Sequence, residues 1–134
     1  MLKRFAAIAA LALCLAGLSS PALAGSPHFV GTPTATISGD TVTVSGKEAG
    51  LGNETQIHVV VTADAACINP GDQHPEAANK ESFSAEGTFP VQNGKADFSL
   101  IVIAVFQPSC SPPMTLAWSN IVVTDAANGL SVTL

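Results

Sequence analysis

Along most of this chain apolar residues recur at every second position, and the runs are cut at short intervals by glycine, proline and asparagine. Successive side chains of an extended strand point to opposite faces, whereas a helix repeats near 3.6. A period of two therefore commits a segment to a half-buried strand. Thr34–Ser38 and Thr41–Ser45 flank Gly39-Asp40, a two-residue connection whose glycine accepts the positive φ of a type II′ turn. Gly46–Asn53 is rich in glycine and reads as a corner between sheets. In Thr55–Ala63, Ile57, Val59, Val61 and Ala63 share one face, and Cys67 keeps the same parity if the strand continues.

Asn93-Gly94 is the strongest hairpin signal, of type I′. It joins Phe83–Val91, which Gly87 and Pro90 assign to a sheet edge or to two short pieces, to Lys95–Phe106. From Leu100 to Phe106 the second of these is apolar on both faces, the mark of a strand covered on both sides, in the middle of its sheet or against another layer. Met114–Ser119, Ile121–Asp125 and Leu130–Leu134 complete the set, with a turn over 126–129. Trp118 falls in the stripe Met114, Leu116, Trp118 and is expected in the core. Seven or eight short strands, with turn signals at intervals of about ten residues, predict an all-β, two-sheet antiparallel sandwich of Ig-like architecture; a small barrel is the alternative.

The first 24 residues stand apart. Lys3-Arg4, the apolar run Phe5–Leu18 and the small residues around Ala22-Leu23-Ala24 form a three-part export signal, too short in its apolar part to span a bilayer. Cleavage before Gly25 leaves a secreted domain, residues 25–134. Its formal charge moves from −5 to about −7 as Lys3 and Arg4 are lost. That sign, with Lys47, Lys80 and Lys95 scattered, excludes nucleic acid and a polybasic membrane surface as partners.

Cys14 leaves with the signal, and Cys67 with Cys110 in an oxidising compartment read as one disulfide. It would close a loop of about 44 residues and stabilise the fold by roughly 4 kcal/mol. The cysteines flank proline turns, Trp118 follows the second of them, and tyrosine is absent. An antibody-type domain carries the opposite marks on all three counts.

Gly50-Leu51-Gly52-Asn53, Cys67-Ile68-Asn69-Pro70-Gly71, Phe89–Leu100 and Cys110-Ser111-Pro112-Pro113 occur in that order. On these segments, from Val44 to Pro113, the chain resembles a group of small, uncharacterised secreted β-sandwich proteins of actinobacteria. The resemblance implies a secreted sandwich and a Cys67–Cys110 bridge, and it transfers no catalytic residue.

Candidate chemistry is sparse, for charged residues make up only 11% of the chain. The 68–82 loop has no period, and a long structureless loop in a compact domain is more often functional than decorative. Within it Asp72, His74 and Glu76 bring two carboxylates and an imidazole together, though a metal site rarely draws all its ligands from one flexible loop. No strained nucleophile elbow or phosphate-cradling loop is present. His58 lies mid-strand on the less apolar face and reads as solvated or packed. His28 falls in a frayed N-terminus, and the sequon Asn53-Glu54-Thr55 stays bare in a bacterial host.

The expectation is a non-catalytic secreted binding domain with no cofactor and no metal, whose partner is an extracellular protein or glycan. Its surface is expected where the bridge ties two proline-rich loops, at Pro70, Asp72, His74, Glu76, Pro112 and Pro113. A self-assembling surface protein is the alternative, followed by a small secreted enzyme or protease inhibitor. Export from a Sec-competent host is expected to yield a chain beginning at Gly25, read by N-terminal sequencing of the secreted product.

Overall fold

A computed structural model describes residues 26–69 and 79–134, so the expected export signal over 1–24 and Pro70, Asp72, His74 and Glu76 lie outside the described residues. Eight strands run through the described residues: β1 (His28–Phe29), β2 (Thr34–Ser38), β3 (Thr41–Ala49), β4 (Gln56–Ile68), β5 (Lys80–Pro90), β6 (Ala96–Ile103), β7 (Thr115–Asp125) and β8 (Leu130–Thr133). They form two antiparallel sheets. In sheet one, β3 is flanked by β6 along one edge, while β1 and β2 take successive stretches of the other. Sheet two has the order β5-β4-β7-β8.

The two-residue alternation selects what is buried between the sheets. Val42, Val44, Phe98 and Val102 of sheet one meet Ile57, Val59, Val61, Ala63, Ile121 and Val123 of sheet two. Aromatic rings fill both poles. Phe98 packs with Phe29 and Phe89 at one pole, and Phe83 packs edge-on to Phe106 and Trp118 at the other. Trp118 is half-buried, and its Nε1 donates to the Gly39 carbonyl at 3.1 Å, which ties the β2–β3 turn to sheet two.

The turns have the expected dihedrals. Gly39 takes φ 57° with Asp40 outside the positive region, as type II′ needs, and Asn93 and Gly94 take 55° and 74°, as type I′ needs. Gln92 and Lys95 exchange both backbone hydrogen bonds across the second turn. That hairpin ends there, because β5 pairs with β4 in sheet two and β6 with β3 in sheet one. The Asn93-Gly94 turn thus passes the chain between sheets. β5 is one continuous edge strand, and Gly87 keeps its place in it opposite Val59.

Five expectations are corrected. Ile68 belongs to β4 and Lys80–Ser82 to β5, so the 68–82 loop is shorter at both ends. Gly46–Ala49 belongs to β3, so the corner shrinks to the residues after Ala49. His28 pairs with Ala49 and is not frayed. Residues 115–125 are a single strand, in which Asn120 at φ 51° is the extra residue of a bulge where the pairing with β4 shifts between Thr62 and Asp64. The bulge lets Leu116 and Trp118 on one side of it, and Ile121 and Val123 on the other, all face inward despite opposite parity. Finally, β6 is an edge strand, not a central one. Its inner residues are covered, but its outer row of Ile101, Ile103 and the following Val105 is bare.

Close packing singles out Gly46, where a Cβ would stand 2.5 Å from Cζ of the buried Phe98. Gly46→Ala is expected to cost about 1–3 kcal/mol in urea unfolding, by forcing that ring against Phe29 and Phe89.

Candidate functional site

The disulfide pole is built first by covalent chemistry. Cys67, buried near the end of β4, joins Cys110 in the β6–β7 connection, 43 positions further along the sequence, with Cα atoms 5.7 Å apart. Ala104 donates its backbone N–H to the Asp40 carbonyl at 2.8 Å, holding the start of that connection against the β2–β3 turn. Beneath it Phe106 and Ala104 pack on Ala65, Phe83, Leu116 and Trp118. A cavity of about 240 Å³ opens between Asp40, Val105, Gln107, Ser109 and Leu116, reaching Cys110. Pro112 and Pro113 lie on the exposed stretch just beyond.

Outward from this cavity an aliphatic stripe runs along Val105 and the end of β6. Val105 is 60% exposed, Ile103 54% and Ile101 55%, so three large aliphatic side chains in a row face solvent. Opposite Ile103 and Ile101 on β3 stand Thr41 and Thr43, and Ser45 and Ser99 share a 3.1 Å hydrogen bond further along. The nearest charged pair of this face is Lys47–Asp97 at 3.8 Å, toward the opposite pole. There a second hollow of about 390 Å³ lies among Lys47, Gln92, Asn93, Lys95 and Asp97.

The outer face of sheet two has the opposite character. His58 Nε2 lies 2.7 Å from Glu86 Oε2 across β4 and β5, both exposed. Asp64 accepts from Ser82 Oγ at 2.6 Å and from Asn120 Nδ2 at 3.3 Å. These two hydrogen bonds, the serine's first, hold its carboxyl below the usual range. A carboxylate so stabilised is a weak base, so the Ser82–Asp64 contact does not activate the hydroxyl. Among the described residues no group of three or more His, Cys, Asp or Glu side chains is disposed to hold a metal ion.

The structure thus joins Cys67, Cys110, Pro112 and Pro113 at one pole. Sequence reasoning missed the aliphatic stripe, because Ile101, Ile103 and Val105 look like core residues until β6 is known to lie at an edge. It missed the Asp64 cluster because that is assembled across three strands by the bulge at Asn120. No protein-family model, curated protein or solved structure matches the chain.

Because the stripe rests on nothing, the fold should not need it. Ile101→Ser and Ile103→Ser are expected to leave stability within about 0.5 kcal/mol, while Val102→Ala between them costs about 1–3 kcal/mol, compared by chemical denaturation.

Proposed function

We propose that the mature chain is a secreted, non-catalytic binding domain that seats an extracellular protein on the outer face of β6 and the adjoining bridged segment 107–113. The observation that carries this reading is the solvent-facing row Ile101, Ile103, Val105, which leads into the cavity at Cys110. Covering the part of each side chain still exposed is favourable by about 1 kcal/mol, so three in register can help anchor an interface. Threonines stand opposite Ile101 and Ile103 on β3, and Asp40 lies at the cavity end of the row. A partner of matching apolar character therefore loses little in desolvation. Aliphatic side chains offer no ring face for a sugar, which favours protein over glycan. The disulfide supports the reading energetically, since a segment already tethered gives up less conformational freedom on binding.

Catalysis finds weaker support. On the outer face of sheet two, His58 with Glu86 and Asp64 with Ser82 and Asn120 form two separate sets without a nucleophile–base–acid order. Self-association through the same face is the second reading, favoured by the edge position of β6.

The test compares three immobilised forms of the mature chain against the secreted and surface proteins of the producing cell: the unaltered protein, Ile101→Asp/Val105→Asp, and His58→Ala/Glu86→Ala. A protein retained by the first and third, with retention lowered at least about tenfold in the second, is the expected result. Equal retention by all three would remove the β6 face as the binding surface. Light scattering of the unaltered protein over a concentration series separates a foreign partner from a second copy.

A further inference from the structure

At the pole opposite the disulfide the core contains two acids. Inner-face parity along β3 runs Val42, Val44, Gly46, Glu48, and along β7 it runs Ile121, Val123, Asp125, so each sheet delivers a carboxyl to the space between them. Both residues are 0% exposed. Asp125 is well supplied with donors: the Asn128 backbone N–H reaches Oδ1 at 3.3 Å and Asn128 Nδ2 reaches Oδ2 at 2.7 Å. Neither oxygen of Glu48 receives any donor. A buried carboxylate with no hydrogen bond and another acid beside it is the least tolerable state such a group can take. A single proton resolves it, for protonated Glu48 can donate to Asp125 and become partnered.

Among the described residues, the neighbours of Glu48 supply no cation to do this instead. Glu54, from the β3–β4 connection, adds a third acid and accepts from the same Asn128 Nδ2 at 3.1 Å. On the flanking strands Glu48 is opposite Phe29 of β1 and Ala96 of β6, neither titratable. Next to Phe29, His28 turns its ring to the Ser26 carbonyl at 2.7 Å. Lys47 and Asp97 pair with each other on the solvent side of sheet one.

We propose that Glu48 and Asp125 form a proton-operated clasp, in which the Glu48 carboxyl donates across the sandwich to Asp125 and holds sheet one to sheet two, and whose opening releases that proton to solvent. In the open state two adjacent carboxylates, with Glu54 close by, repel one another and loosen the pole. Burial first, then the hydrogen bond to Asp125, then repulsion from Asp125 and Glu54 push the Glu48 pKa from 4.5 up to about 8. Since the folded pKa lies above the unfolded one, the folded chain binds the extra proton through that interval. The clasp's contribution is complete below pH 4.5, declines as pH rises, and is gone above about 8.

The clasp is tested on the full mature chain by carbon-detected NMR titration of the Glu48 carboxyl, and by thermal melts of wild type and Glu48→Gln from pH 5 to 9. Glutamine carries a permanent N–H donor and does not ionise, and the variant keeps every other titrating group as background. The Glu48 carboxyl is expected to titrate several units above an ordinary glutamate. Wild-type Tm should fall from pH 5 to 9 by about 5 °C or more beyond the fall in Glu48→Gln. Titration in the ordinary carboxylate range, or parallel Tm profiles, overturns the proposal. So does a rise in wild-type Tm with calcium at pH 9 that is absent in Glu48→Gln, which would make a cation the occupant. Should the variant fail to fold, the wild-type titration decides alone.

Discussion

Val42, Val44 and Val102 from one sheet, and Ile57, Val59, Val61, Ile121 and Val123 from the other, meet between the layers, and every other feature of the molecule is arranged around that contact. β-Branched side chains lose little rotamer freedom in extended backbone and stand perpendicular to the sheet, so they interlock without demanding large rings. The cost is geometric. A core so narrow tolerates no vacant inner position, and the chain keeps its inner rows filled by local devices. Asn120 adds one residue to β7 so that Ile121 resumes the face that Trp118 left. Gly46 withholds a side chain where the Phe98 ring must lie. At the two poles, where the valines end, aromatic rings close the gap.

The inner rows are legible in the sequence because alternation is a local property. Ile57, Val59, Val61 and Ala63, or Ala96 and Phe98, declare their face within a few residues, and the two tight turns declare theirs through Gly39 and Asn93-Gly94. What stays hidden is non-local. Nothing in Leu100–Phe106 says whether another strand lies beyond it, and a doubly apolar strand covered by neighbours reads the same as one with a bare outer row. The Asn93-Gly94 turn likewise predicts a hairpin with no hint that its arms part into different sheets. Glu48 is a different case. Its parity with Val42 and Val44 was visible, and the glycines around it concealed that the strand continued. The pairing of Cys67 with Cys110 was readable from cysteine number and compartment, whereas the cavity beside it depends on how Asp40 and Ala104 meet.

The two outer surfaces divide the molecule's chemistry. Sheet two shows water a mesh of short polar contacts, His58–Glu86, Ser82–Asp64–Asn120 and Thr124–Ser131, and its β5 edge carries Lys80, Glu81, Glu86 and Pro90. Charge and proline along an edge discourage another strand from adding there. Sheet one shows threonine, serine, the Lys47–Asp97 pair and, along β6 and just beyond it, bare isoleucine and valine. An all-β chain with open edges runs a standing risk of indiscriminate pairing. The guarded β5 edge belongs to sheet two and the bare aliphatic row to sheet one.

The bridge has a mechanical side as well. When the ends of the chain are pulled, a covalent link between Cys67 and Cys110 removes the 43-residue separation from the length that can be drawn out. At full extension that is about 150 Å of chain kept out of reach of tension. β5 and β6 both lie inside this closed loop. A force that peeled away β8 or β2 would still leave the bearer of the aliphatic row looped to the strand that β5 pairs with, and the domain would yield from its outer strands inward.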